Sequence, residues 1–436
     1  MKYLAYIASL TALASTMQAA DVTIQGKAGR ATITGVTSAD TLILDSSVSP
    51  EYSAGGVTVN KLISTNGAAK GDVNLANIVN FNAGQGITVD ANTASGEFTA
   101  IDVNSWRMNL ATLTVKNSAS ATNATVNVNF GSLLNVNSGG NTQNQYVYFD
   151  SVKANVTASE TTIGNNVDKG SVLGVKSTAD VTWNGNISIE KSGTLNLDGK
   201  LTLAGTLSSY GTINSTGKLV QNAAADTGIT LFANAEMNSG SNWTIQGKLM
   251  VQNNSTTTVN EGAYLTFVPN ASASSRIILE NGSLVLNQKN ALITNTGEPK
   301  VAIVTWAGAD KINNVFINAD QEINSFYVNG NTLNIYLDDL VKVSLTETNK
   351  AFEVQDAAII NIYNFMENNF FVGNNEYVKN NVVELFVSLY DGNGDYLGTA
   401  TVNDSGYLTL AVPEPAEWAA IFGALALGLA MYRRRK

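Results

Sequence analysis

The chain has 436 residues, 25 Lys plus Arg against 35 Asp plus Glu, a net charge of -10, and neither Cys nor His. Disulfides, thiol catalysis, a His general base and His- or Cys-ligated metal sites are therefore excluded, and neither a cofactor nor a metal site is expected. The acidic charge is thinly spread, and the one basic cluster is the terminal Arg433, Arg434, Arg435 and Lys436, so no nucleic-acid surface is expected.

At the N-terminus, Lys2 precedes an apolar run from Tyr3 to Ala14, with small residues at Ala19 and Ala20. This is the form of a secretory signal peptide over residues 1–20, with cleavage after Ala20 or one residue to either side, and it predicts export through the Sec pathway.

The body, 21–304, is dominated by one pattern. In "GTLNLDGKLTLAGTLSSYGTINSTGKLV", Gly193, Gly199, Gly205, Gly211 and Gly217 recur every six residues, and Leu195, Leu201, Leu207, Ile213 and Leu219 follow at the same interval. Alternating Thr and Leu read as strand, and Gly reads as a turn residue able to take a positive φ. One unit cannot bury its own apolar row, but stacked parallel rungs can, so the expected fold is all-β, a parallel β-helix. Looser copies such as "VTIQGKAGRATITGVTSADTLILD" and "GKLMVQNNSTTTVNEGAYLTFV" extend it in both directions. At ~20 residues per coil this region makes about a dozen coils, with Asn able to stack into ladders between rungs. A right-handed solenoid is expected, with the left-handed form and a stack of antiparallel hairpins as alternatives.

From Lys300 larger apolar and aromatic residues appear. Residues 305–339 are expected to cap the solenoid, with a hairpin turn at Val328-Asn329-Gly330-Asn331. Residues 340–411 read as a small membrane-proximal β-rich domain, with a short helix near Ala357 to Met366 and a hairpin in "VVELFVSLYDGNGDYLGTATV". The Asp391-Gly392-Asn393-Gly394-Asp395 stretch resembles a Ca²⁺ loop, but Tyr396 and Val402 stand where such a loop needs Gly and Glu, so a turn is expected. Asp338 and Asp339 are adjacent, and neighbours on a strand face opposite ways, which makes them a poor carboxylate pair for glycoside chemistry. Among arginines the body offers only Arg30, Arg107 and Arg276. These absences point to a protein that is not an enzyme.

The last segment, 412–436, runs from Val412-Pro413-Glu414-Pro415 through an apolar stretch, Trp418 to Tyr432, to Arg433, Arg434, Arg435 and Lys436. As a helix, 418–432 would span about 22 Å against a hydrocarbon core of ~30 Å, so Trp418 and Tyr432 would sit at the two interfaces of a single transmembrane helix. The basic tail would stay cytoplasmic and the body face outward. The two prolines keep the preceding segment extended.

This order of parts resembles the PEP-CTERM sorting signal of exported Gram-negative bacterial proteins. The resemblance implies that Val412, Pro413, Glu414 and Pro415 form a recognition element for an exosortase-type membrane processing enzyme. It also implies partners such as exopolysaccharide or other matrix proteins, with the chain held at the inner membrane before reaching the cell surface. The texture of the body resembles the β-helical passenger regions of autotransporter adhesins, without their terminal membrane barrel. The resulting expectation is an exported cell-surface or extracellular-matrix protein of structural or adhesion type. A polysaccharide lyase or glycosidase on a β-helix is the alternative, and a permanently anchored envelope protein is a third reading.

Overall fold

A computed structural model describes residues 20–411 apart from short interruptions, the longest being 76–85 and 137–144, together with residues 423, 425–427 and 431–433. The hexad region shows the building unit. Gly193–Leu197, Lys200–Leu203 and Leu207–Ser209 form the three sides of one coil, and Thr212–Ser215, Lys218–Gln221 and Ile229–Leu231 form the next. Each strand pairs in parallel with its counterpart, placing Leu195 beside Ile213, Leu201 beside Leu219 and Leu207 beside Ile229. Three hexads thus make one turn. The described chain is mostly strand, arranged in a 24-stranded and a 16-stranded sheet whose ladders are almost wholly parallel, as a solenoid requires.

The glycines hold this geometry for a reason other than the expected one. None of the five hexad glycines has a positive φ. A Cβ on Gly211 would instead collide with the carbonyl oxygens of Gly193 and Glu190, and one on Gly217 with that of Gly199. Successive coils pass so closely at the corners that a side chain has no room there.

Leu and Ile from all three sides fill the lumen, with Leu195, Leu201, Leu203, Leu219 and Ile229 fully buried. Trp106, Trp183 and Trp243 are fully buried in the same core. Outside, identical residues stack from coil to coil. Asn318, Asn287, Asn260 and Asn238 form a chain of side-chain amide hydrogen bonds of 2.7, 2.8 and 2.9 Å. Asn361, Asn334 and Asn314 form another at 2.9 and 3.1 Å. Two residues further along the same strands, Phe316, Tyr336, Tyr363 and Tyr390 stack with centroids 4.7, 4.6 and 4.6 Å apart. Such ladders pair amides that would otherwise compete for water, and they lock the register of neighbouring coils. Burial in the stack, with Tyr336 and Tyr390 on either side, raises the Tyr363 phenol above its ordinary pKa.

Coil length varies. Ladder partners are 18 residues apart at Asn196 and Asn214, 22 at Asn238 and Asn260, 27 at Asn334 and Asn361, and 31 at Asn287 and Asn318. Parallel pairing also continues past both 304 and 339, with Ala302 beside Ser325 and Thr332 beside Ile359. Val328-Asn329-Gly330-Asn331 is therefore not a hairpin. Ser325–Asn329 and Thr332–Leu337 lie in different sheets, and the Asn-Gly pair turns a coil corner. The helix expected near Ala357 to Met366 is also corrected, because Ile359–Tyr363 is a strand that buries Ile360 and Ile362 and leaves Tyr363 outside. Helical turns occur later, from Glu376 to Phe386. The Asn375 side chain caps their start by accepting the N–H groups of Tyr377 and Val378, and Val378, Val382 and Val383 point into the core. The hairpin near the C-terminus is present. Val387–Tyr390 pairs antiparallel with Tyr396–Val402, which pairs antiparallel with Leu408–Leu410, and this ends the parallel ladder.

Near the other end, Asp90 is almost fully buried, and burial by itself would raise its pKa. The Ser118 N–H at 2.9 Å and the Lys116 ammonium at 3.3 Å outweigh that effect and hold the carboxyl below its ordinary value. A depressed carboxyl contributes stability that is complete at neutral pH and is lost as pH falls through the folded-state value. Thermal unfolding should therefore shift downward below about pH 4, and Asp90→Asn should lower the neutral-pH midpoint while flattening this acid limb. An acid limb unchanged in Asp90→Asn would remove Asp90 from the account.

Candidate functional site

A concavity of about 800 Å³ lies on the outer face of the longer sheet toward the C-terminal end of the solenoid. Its floor comes from Arg276–Glu280, Ala302–Trp306, Ser325–Asn329 and Phe352–Gln355, which are neighbours in parallel register. Register sets the columns. Arg276, Ala302 and Ser325 align in one, Val304, Tyr327 and Glu353 in the next, and Trp306, Asn329 and Gln355 in a third. The small side chains of Ala302 and Ser325 beside the larger Tyr327 and Trp306 make the depression.

The segment after Val343–Leu345 forms a wall. The N–H groups of Thr346 and Glu347 donate to the carbonyls of Ile323 and Asn324 at 2.9 and 3.0 Å, tying the wall to the coil below. Within it, the Glu347 carboxylate accepts the Asn349 N–H at 3.1 Å, and Lys350 Nζ lies 3.1 Å from Glu353 Oε1. Trp306 is 55% exposed, whereas Trp106, Trp183 and Trp243 are fully buried. Arg276 Nε is buried without a hydrogen-bond partner among the described residues. The site thus combines two aromatic rings, several amides, two cations and two carboxylates, a set suited to holding a hydroxyl-rich ligand.

Of the residues the sequence singled out, Arg276 lies in this groove, whereas Arg107 is exposed on Ser105–Met108, a separate strand, and Arg30 lies outside the described residues. Asp338 and Asp339 do not converge on a cleft. Asp338 Oδ1 accepts the Asp339 N–H at 2.8 Å, and Asp339 Oδ1 accepts from Asn364 Nδ2 at 3.0 Å. Asp391 closes the hairpin, its Oδ1 accepting the N–H groups of Asn393 and Asp395 at 2.9 and 2.8 Å. Trp306, Tyr327, Glu347 and Glu353 were not singled out by sequence, because only the lengths of the intervening coils bring them together.

Val412, Pro413, Glu414, Pro415, Trp418, Arg434, Arg435 and Lys436 lie outside the described residues. Tyr432 and Arg433 are helical and exposed. Among the described residues no helix is long and apolar enough to cross a membrane. Compared with protein-family models, curated proteins and solved structures, the chain matches none.

Proposed function

We propose that this is an exported, non-enzymatic surface or matrix protein in which a solenoid rod presents polar ladders and a shallow groove. On this reading the signal peptide directs Sec export. The apolar stretch 418–432 holds the chain transiently at the inner membrane as a transmembrane helix, and an exosortase-type enzyme acts at Val412, Pro413, Glu414 and Pro415. The supporting observation is the run of parallel coils whose outward Asn and Tyr columns bond mainly to one another. Such a surface is rigid and hydroxyl- and amide-rich, suited to broad contact with polysaccharide or neighbouring matrix proteins through many weak hydrogen bonds.

Ala20 sharpens the export reading. Its N–H donates to Asp40 Oδ1 at 3.0 Å, and its carbonyl accepts the Thr41 N–H at 2.9 Å. Cleavage after Ala19 would keep both contacts and place the new α-ammonium on the Asp40 carboxylate. The test is the intact mass and N-terminal sequence of protein recovered from its native host. The expected chain begins at Ala20 and lacks the segment from about Glu417 to Lys436. A chain retaining Arg433 to Lys436 would make the tail a lasting anchor and overturn the sorting reading.

The groove keeps a second reading open, a glycosidase or lyase using Glu347 and Glu353. Against it, Glu353 is paired with Lys350 and Glu347 is engaged by the Asn349 N–H. New reducing ends or unsaturated products on incubation with polysaccharide would favour it.

A further inference from the structure

We infer that the groove over residues 276–355 binds a strand of neutral hexose polysaccharide, with sugar rings packing against Trp306 and Tyr327. This deepens the proposed function and rests on its reading of the body as a binding surface. Four observations carry it. First, Trp306 is the one exposed tryptophan among the described residues, and it lines the groove. An exposed indole in a polar groove is costly to leave in water and offers a flat apolar face to the C–H side of a pyranose ring.

Second, Asn329 and Gln355 stand in register beside Trp306, supplying amide donors and acceptors at the edge of a stacked ring. Third, Arg276 lines the groove and its Nε has no hydrogen-bond partner among the described residues, so a ligand hydroxyl admitted by a small side-chain shift would gain a bond that the protein does not supply. Fourth, the groove carries Arg276 and Lys350 against Glu347 and Glu353, so its charges balance and an anionic polymer gains nothing by entering. The lining spans four adjacent strands, about 14 Å at the usual strand spacing, which calls for an extended chain and not a monosaccharide.

The test uses the full chain and three probes, cellohexaose, laminarihexaose and mannohexaose, with oligogalacturonate as the charged comparison. Binding is followed by isothermal titration and by tryptophan emission. At least one neutral hexamer should bind with a shift in emission. Trp306→Ala should weaken binding tenfold or more and remove the shift, and Tyr327→Ala should weaken it severalfold, both with unchanged thermal midpoints. Neutral binding unaffected by either substitution would overturn the inference. So would no binding of any neutral hexamer, or tighter binding of oligogalacturonate. None of these outcomes bears on tail processing, which is read from mass. Degradation of the probe would count against the non-enzymatic reading, while dependence on Trp306 would still support the groove.

Discussion

Gly211→Val is expected to destabilise the protein by about 3 kcal/mol, far more than a surface substitution. Gly211 lies at a corner where a Cβ would meet the carbonyl oxygens of Gly193 and Glu190 and the side chain of Ile189. Backbone cannot yield there without lengthening the hydrogen bonds that join the two coils, among them the Tyr210 N–H to the Ile189 carbonyl at 2.7 Å. Gly308 provides the control, because it has open space around its Cα and no positive φ, so Gly308→Ala should change stability by less than about 1 kcal/mol. Urea denaturation of both variants checks the contrast. A Gly211→Val protein as stable as the parent would mean that the coils do not pass as closely as described.

Trp243→Ala should have a still larger effect, about 3–5 kcal/mol, as expected for truncating a fully buried indole. Trp243 sits in the lumen beside Leu219 on one side and Leu265 on the other. Its Nε1 donates to Ser215 Oγ at 3.1 Å, and that hydroxyl lies 2.8 Å from Ser241 Oγ. Truncation therefore opens a cavity across three coils and leaves a buried polar pair short of a partner. Coils of a solenoid touch only their neighbours, so a defect in the middle should uncouple the two halves. The variant should unfold in two steps, with amide exchange accelerated first near 215–265. A single transition shifted by under 1 kcal/mol would argue that the lumen repacks around the gap.

The hexads were legible because three of them make one complete coil of 18 residues, the shortest described, where sequence period and structural period coincide. Elsewhere loops of different length separate the same columns, and the period dissolves although the ladders persist. Local chemistry misled at two places for physical reasons. Asn329 and Gly330 favour a sharp reversal, yet a coil corner needs the same backbone freedom, and only the pairing of the flanking strands separates the two. Ala357 to Met366 carries apolar residues at spacings that fit helix or strand, and tertiary pairing with Thr332–Leu337 decides for strand. The groove was illegible for a related reason, because its columns join residues from four coils and no window of sequence contains them.

Stacking also fixes height. Sixteen strands in one sheet, rising ~4.8 Å from each to the next, make that sheet roughly 70 Å tall, closed at its C-terminal end by the antiparallel strands through Leu410. In a chain held by its C-terminus, that closed end is the base and the groove lies low on the shaft, while the first coils stand farthest from the point of attachment. Duplicating one coil on the N-terminal side of the groove would lift everything beyond it by a single rung and leave the groove where it was, so reach and recognition can be altered independently.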